Sequence, residues 1–232
     1  SRSPGGRMFT LCWSAKGGSG TTVVAASLAL ISARTGPTVI IDLGGDVAAA
    51  LGAATPSGPG VTEWLASPHA DAGALWRLAV DIAPALALVH PGASPVPGPA
   101  LAEVHAERLI AAISHGPHPV VVDAGQVVGP AALHHCATAS LLVVRQCYLG
   151  LRRATALPSL AHGAVLVEEP GRALGSADIE RALGVPVVAT VPWDPAVARA
   201  VDAGLLATRL PASLGRQLGA VHQTGHQTGQ PA

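Results

Sequence analysis

The chain's one lysine, Lys16, lies inside a glycine-rich stretch, SAKGGSGTTVV, that runs from Ser14 to Val24 and carries hydroxyls at Ser19, Thr21 and Thr22. Backbone N–H groups of such a loop can cradle an oxyanion, and a hydroxyl at the start of the following helix can sit on magnesium. Two strand-like runs elsewhere end in a carboxylate, TVIID at Asp42 and VVVD at Asp123. Carboxylate oxygens are the ligands that Mg²⁺ prefers. The combination points to phosphate and magnesium chemistry. Against the general phosphate loop G-x-x-x-x-G-K-[ST], the window AKGGSGTT (Ala15 to Thr22) lacks both the leading glycine and the terminal lysine. Thr21 stands at the lysine's place. What remains is a backbone anion nest with one mobile cation. A charge-assisted hydrogen bond to phosphate, worth about 1.5–3 kcal/mol, is missing.

Other chemistry is thin. His134, His135 and Cys136 are consecutive and cannot all converge on one ion, and no H-E-x-x-H is present. Ser14, Ser19 and Thr21 have no adjacent general base. Cys12, Cys136 and Cys147 have no metal spacing and are odd in number, which predicts buried free thiols in a reducing compartment.

The elements needed to position the loop and carboxylates are legible. Apolar strands are expected at Met8–Trp13, Thr38–Ile41, Leu86–His90, Val120–Val122, Ser140–Val144, Ala164–Val167 and Pro186–Val191. Between them lie helices at Thr22–Ile31, Val61–Ser67, Asp71–Leu78, Ala100–Ser114, Pro130–Cys136, Leu149–Leu160 and Ser176–Leu183. The helix at Ala100–Ser114 offers Leu101, Val104, Leu109, Ile110 and Ile113 as its apolar face. Pro91–Pro99 (PGASPVPGP) reads as a rigid loop. Continuous β-branched strands require helices on both faces of a parallel sheet. The expected class is an α/β single-domain three-layer sandwich with a mostly parallel sheet of seven or eight strands. A last helix is expected at Ala212–Leu218, followed by a tail, His222–Ala232, that repeats HQTG and reads as disordered.

The run KGGSGTT resembles the deviant phosphate loop KGGxGKT[ST] of the MinD/ParA family, and the resemblance covers roughly residues 8 to 210. It implies the SIMIBI P-loop NTPase fold, ATP and Mg²⁺ as cofactors, and a homodimer across the nucleotide. Lys16 matches the signature lysine that reaches the partner's nucleotide, and Gly17, Gly18, Ser19, Gly20, Thr21 and Thr22 fill the loop. Thr22 matches the magnesium hydroxyl, Asp42 the first aspartate of the family's DxD, and Asp123 its Walker B carboxylate. Gly44 replaces the second aspartate, which helps position the attacking water. Asp46 is either its substitute, a catalytic role shared with Lys16, or a helix cap. Pro192, Trp193 and Asp194 match the region bordering the base, with a packing turn as the alternative. Glu168 stands where an asparagine is often found, so the residues themselves do not choose the base.

The empty lysine position and LLVVRQCYLGLRRA (Leu141 to Ala154) are similar to the CpaE/TadZ-like branch, which serves pilus assembly and polar localisation. Many members carry a receiver-like domain first; here residues 1–7, SRSPGGR, read as a disordered remnant, 8–221 as the nucleotide domain and 222–232 as a flexible tail. Three functions follow: a dimerisation switch for a pilus, secretion or polar machine with weak hydrolysis, an active ParA/MinD-like ATPase, or a nucleotide-free scaffold.

Bulk properties narrow the partners. Fourteen basic residues balance fourteen acidic ones and the estimated pI is 7.1. DNA binding lacks the basic stripe that it calls for. Leu214, Leu218 and Val221 beside Arg216 are too few for direct membrane anchoring. Arg145, Arg152 and Arg153 read as solvated arginines or a partner-facing cluster. The expected address is cytoplasmic, with recruitment to the pole or the inner face of the membrane by a partner.

Overall fold

The structure is a computed structural model that describes residues 9–93, 101–126 and 128–227, with side chains described as far as Val221. The expected remnant 1–7, most of the Pro91–Pro99 loop and the tail beyond Gln227 lie outside the described residues.

The chain runs β1 (Phe9–Trp13), α1 (Thr21–Ala33), β2 (Thr38–Asp42), α2 (Val47–Leu51), α3 (Val61–Ala66), α4 (Ala72–Arg77), β3 (Val80–Ala83) and β4 (Leu86–Val89). It continues through α5 (Glu103–Ser114), β5 (Val120–Asp123), α6 (Ala131–Cys136), β6 (Ala139–Arg145), α7 (Tyr148–Thr155) and β7 (Gly163–Glu168). It closes with α8 (Ser176–Leu183), β8 (Val187–Pro192), α9 (Pro195–Asp202) and α10 (Ala212–Gln227). The eight strands form one sheet in the order β3-β4-β2-β5-β1-β6-β7-β8, parallel throughout except for the antiparallel β3–β4 pair.

Successive strand residues point to opposite faces, so each central strand feeds two cores. Leu11, Trp13, Val39, Ile41, Val122 and Leu142 pack under the face that carries Trp64, Leu109, Ile113, Leu133 and Ile179. Cys12, Ile40, Val121, Leu141 and Val165 pack on the other face beneath Val24, Leu28, Leu51, Leu214 and Leu218. Helix α1 buries ten of its thirteen residues, because the sheet, α2 and α10 surround it. This explains why its sequence is apolar on all sides.

Several expectations are corrected. Edge strand β3, helix α2 and helix α9 have no counterpart in the sequence reading, and α7 stops at Thr155, ahead of Pro158. Val104 is exposed, and Ala106 and Ala112 carry the buried face of α5 with Leu109 and Ile113. Of the cysteines only Cys12 is buried; Cys136 is exposed and Cys147 is half-buried, though all three are free thiols. The last helix does not end at Leu218, since α10 continues to Gln227.

Candidate functional site

Strands β1, β2 and β5 bring their carboxyl ends to one edge. Cys12 pairs with Asp123, and Asp42 lies beside Asp123 across the β2–β5 ladder. The loop Ser14–Gly20 leaves β1 at this edge and enters α1, so the glycine stretch and both carboxylates meet. Open α/β sheets bind ligands at such carboxyl ends.

Gly18 and Gly20 have φ of 75° and 92°, left-handed values that a side chain would strain. The Ser14 hydroxyl shares its one hydrogen between the carbonyls of Lys16 and Gly125, both at 3.1 Å, and Ser19 Oγ donates to Lys16 O at 2.6 Å. These bonds tie the loop inward. Lys16 Nζ reaches the neighbouring Gly17 carbonyl at 3.4 Å. Thr21 is buried at the first turn of α1.

The two carboxylates differ in how they are satisfied. Asp42 Oδ1 accepts from the N–H groups of Gly44 and Gly45 at 2.9 and 2.6 Å, and Oδ2 accepts from Val47 N at 2.9 Å. It is therefore a loop organiser that shapes the entry to α2. Burial raises its pKa, while these backbone donors oppose the rise. Asp123 Oδ1 accepts from Gly125 N at 3.0 Å, but Oδ2, fully buried, has no hydrogen-bond donor among the described residues. Burial, and then the charge of Asp42, push the Asp123 carboxyl up to about 7, while the Thr22 hydroxyl and Gly125 N–H draw it down.

A buried carboxylate oxygen without a donor beside a second carboxylate is the chemistry that a divalent cation relieves. Asp123, with Thr22 and Asp42 nearby, fits a Mg²⁺ ion that takes few protein ligands and keeps others from water and phosphate. Among the described residues no three His, Cys, Asp or Glu side chains form a ready-made cage. Asp46 is exposed at the N-cap of α2, makes no side-chain capping bond, and adds its charge to the field on Asp42 and Asp123. Gly44 lies with room at its Cβ position, where the nearest atom is Gly125 Cα at 3.6 Å.

On the other side of the loop, Pro192 ends β8 and Trp193 is half-exposed, with its backbone N–H donating to Glu168 O at 2.7 Å. Asp194 is committed to structure: its carboxylate caps α9 through Ala196 N and accepts from Ser213 Oγ, both at 2.8 Å. The residue that joins this wall to the loop is Arg145, which the sequence reading groups with Arg152 and Arg153 as solvated or partner-facing, missing its place at the loop. Arg145, at the end of β6, donates to Gly18 O at 3.1 Å, pairs with Glu169, and lies 5.3 Å from the Trp193 ring centroid. The available signal was its place at the end of an apolar strand of the kind that ends in Asp42 and Asp123. Arg152 and Arg153 are exposed on α7, away from this network.

His134 is buried, with its ring nitrogens on Ser140 Oγ at 2.9 Å and the Val128 carbonyl, and its ring edge-on to Trp13. Burial lowers its pKa. It is a neutral core group, and the His134–His135–Cys136 run has no catalytic geometry.

No family model matches the sequence, and no curated protein does. Solved structures do. A ParA family ATPase from Chlorobium tepidum superposes with a TM-score of 0.74 at 19% identity, over 94% of this chain and 99% of that one. The cell division ATPase MinD of Pyrococcus furiosus gives 0.70 at 17% identity, over 95% and 99%. The septum site-determining protein MinD of Pyrococcus horikoshii, complexed with Mg-ADP, gives 0.66 at 15%, over 94% and 95%. With its mostly parallel eight-stranded sheet and its glycine loop between β1 and α1, the chain has the α/β fold of these ParA and MinD structures.

Proposed function

We infer that the chain is a nucleotide-dependent switch of ParA/MinD type, which binds ATP with Mg²⁺ and dimerises across the nucleotide to place a partner at a division or partition site. The observation that carries this reading is the buried Oδ2 of Asp123, without a donor among the described residues, at the end of β5 beside the glycine loop. In this reading the backbone of Gly17–Thr22 holds phosphate, the Thr22 hydroxyl and Asp123 hold Mg²⁺, and Asp42 fixes the loop that follows. Pro192 and Trp193 border the base. Bound Mg²⁺ supplies charge neutralisation at the phosphates. The protein works in the cytoplasm, and residues 8–221 are the functional unit.

Within this class, the emptied lysine position at Thr21 and the glycine at position 44 favour slow hydrolysis, because lost transition-state electrostatics cost rate more than binding. Those two positions also support a CpaE/TadZ-like role in siting a pilus or secretion machine.

Titration calorimetry with light scattering tests the reading. ATP with Mg²⁺ is expected to release or absorb heat and double the mass, and Lys16→Ala is expected to weaken the mass shift at least tenfold while nucleotide still binds. Unchanged heat and mass at millimolar ATP would leave only a scaffold.

The slow-hydrolysis reading has its own check. Gly44 has negative φ and space for a side chain, so Thr21→Lys combined with Gly44→Asp is expected to raise ATP turnover at least tenfold. An Asp46→Ala chain that loses turnover would instead make Asp46 the acting carboxylate.

A further inference from the structure

We propose that Arg145 is a phosphate-binding cation that takes over the charge absent at Thr21, and that Glu169 holds it in reserve until nucleotide arrives. The proposal rests on the nucleotide reading above. Arg145 touches the loop directly at Gly18 O, and it lines a small cavity together with Lys16, Gly17 and Ser19. Its guanidinium lies between the loop and Trp193, the ground that links the phosphate nest to the base wall. Lys16 is the other cation at the loop, and its ammonium reaches only the rim carbonyl of Gly17 among the hydrogen bonds of the described residues.

The partner arrangement suits an exchange. Glu169 is one-eighth exposed and is shared between Arg145 and Arg172, the latter ion pair measuring 2.6 Å. When Arg145 turns to a phosphate, Glu169 keeps Arg172 and is not left as an orphaned charge. Its backbone N–H is held by Gln146 Oε1 at 2.8 Å, and buried Gln146 is itself fixed to Leu174 O at 2.6 Å. The carboxylate therefore stays in place while the arginine moves. Arginine presents several donors in a planar fork, so it can trade a carboxylate for a phosphate without losing its contact with the loop.

Equilibrium binding of ATP, ADP and AMP to the full chain tests this. Arg145→Ala is expected to weaken ATP and ADP at least tenfold and AMP less, and Arg145→Lys to recover part of the loss. Glu169→Gln is expected to tighten ATP about threefold, since it removes the competing anion. A merely structural arginine would weaken the three nucleotides equally. The proposal is overturned if the wild-type chain binds ATP while Arg145→Ala binds it as well or better, because Arg145 is then only a plug. If Arg145→Ala does not fold, Glu169→Gln decides alone, and unchanged or weaker binding by it sinks the idea. Absence of nucleotide binding by the wild-type chain would overturn the functional reading itself and this proposal with it.

Discussion

Asp123→Asn is expected to raise the melting temperature of the metal-free protein at pH 8 by about 5 °C or more, and to abolish Mg²⁺-dependent nucleotide binding. The sign follows from the folded carboxyl standing at about 7 against its ordinary 3.8. Between roughly those two pH values the folded chain holds a proton that the unfolded chain has released. Stability of the metal-free protein therefore falls as pH rises from about 4 to 7 and is level above. A shift of this size corresponds to a few kcal/mol, and in a domain of this length each kcal/mol moves the melting point by about 2–4 °C. Asparagine carries no charge at any pH, so the part of the slope that Asp123 contributes should vanish in the variant, leaving that of Asp42 and His134. Mg²⁺ should stabilise the wild type at pH 8 and leave Asp123→Asn unmoved. Melting curves at pH 5 and 8, with and without Mg²⁺, check both statements. A wild type whose stability rises across that window would show that Asp123 ionises freely.

The second large effect is structural. Gly52→Ala is expected to destabilise the fold by about 3 kcal/mol or more and lower the melting temperature by about 10 °C. Gly52 ends α2 with φ of 73°, and a Cβ there would stand 2.6 Å from Gly204 Cα and closer still to the Gly204 carbonyl oxygen. Gly204 follows α9 and is itself left-handed, at φ 65°. Two backbones meet with nothing between them, and neither can retreat without unseating its helix. Gly36, with open space and no positive φ, is the control: Gly36→Ala should stay within about 0.5 kcal/mol of wild type in the same melt.

What the sequence revealed and what it hid divide along a physical line. The loop, Asp42 and Asp123 were legible because each lies at the end of a continuous apolar run, and a parallel sheet brings such ends to one edge. Helix α8 was read to the residue because an acidic first turn and the glycine at 184 mark its ends. Edge strand β3 was hidden because Val80 and Asp81 are both exposed, so no alternation marks it. Helix α2, at five residues, is too short to show a period, and α9 was passed over although Asp194 with Pro195 is a helix-start signal. The Arg145–Glu169–Trp193 contact joins β6 to the ends of β7 and β8, and no local pattern encodes a contact of that kind.

The solitary lysine has a practical consequence. Because Lys16 is the chain's one lysine and half-buried in the loop, an amine-directed reagent can modify a single side chain, apart from the terminal amine. The extent of acylation measured by mass spectrometry thus reads the state of this loop alone, without any engineered label. A short amine-to-amine cross-linker that joins Lys16 to Lys16 likewise reports pairs of chains whose loops face one another.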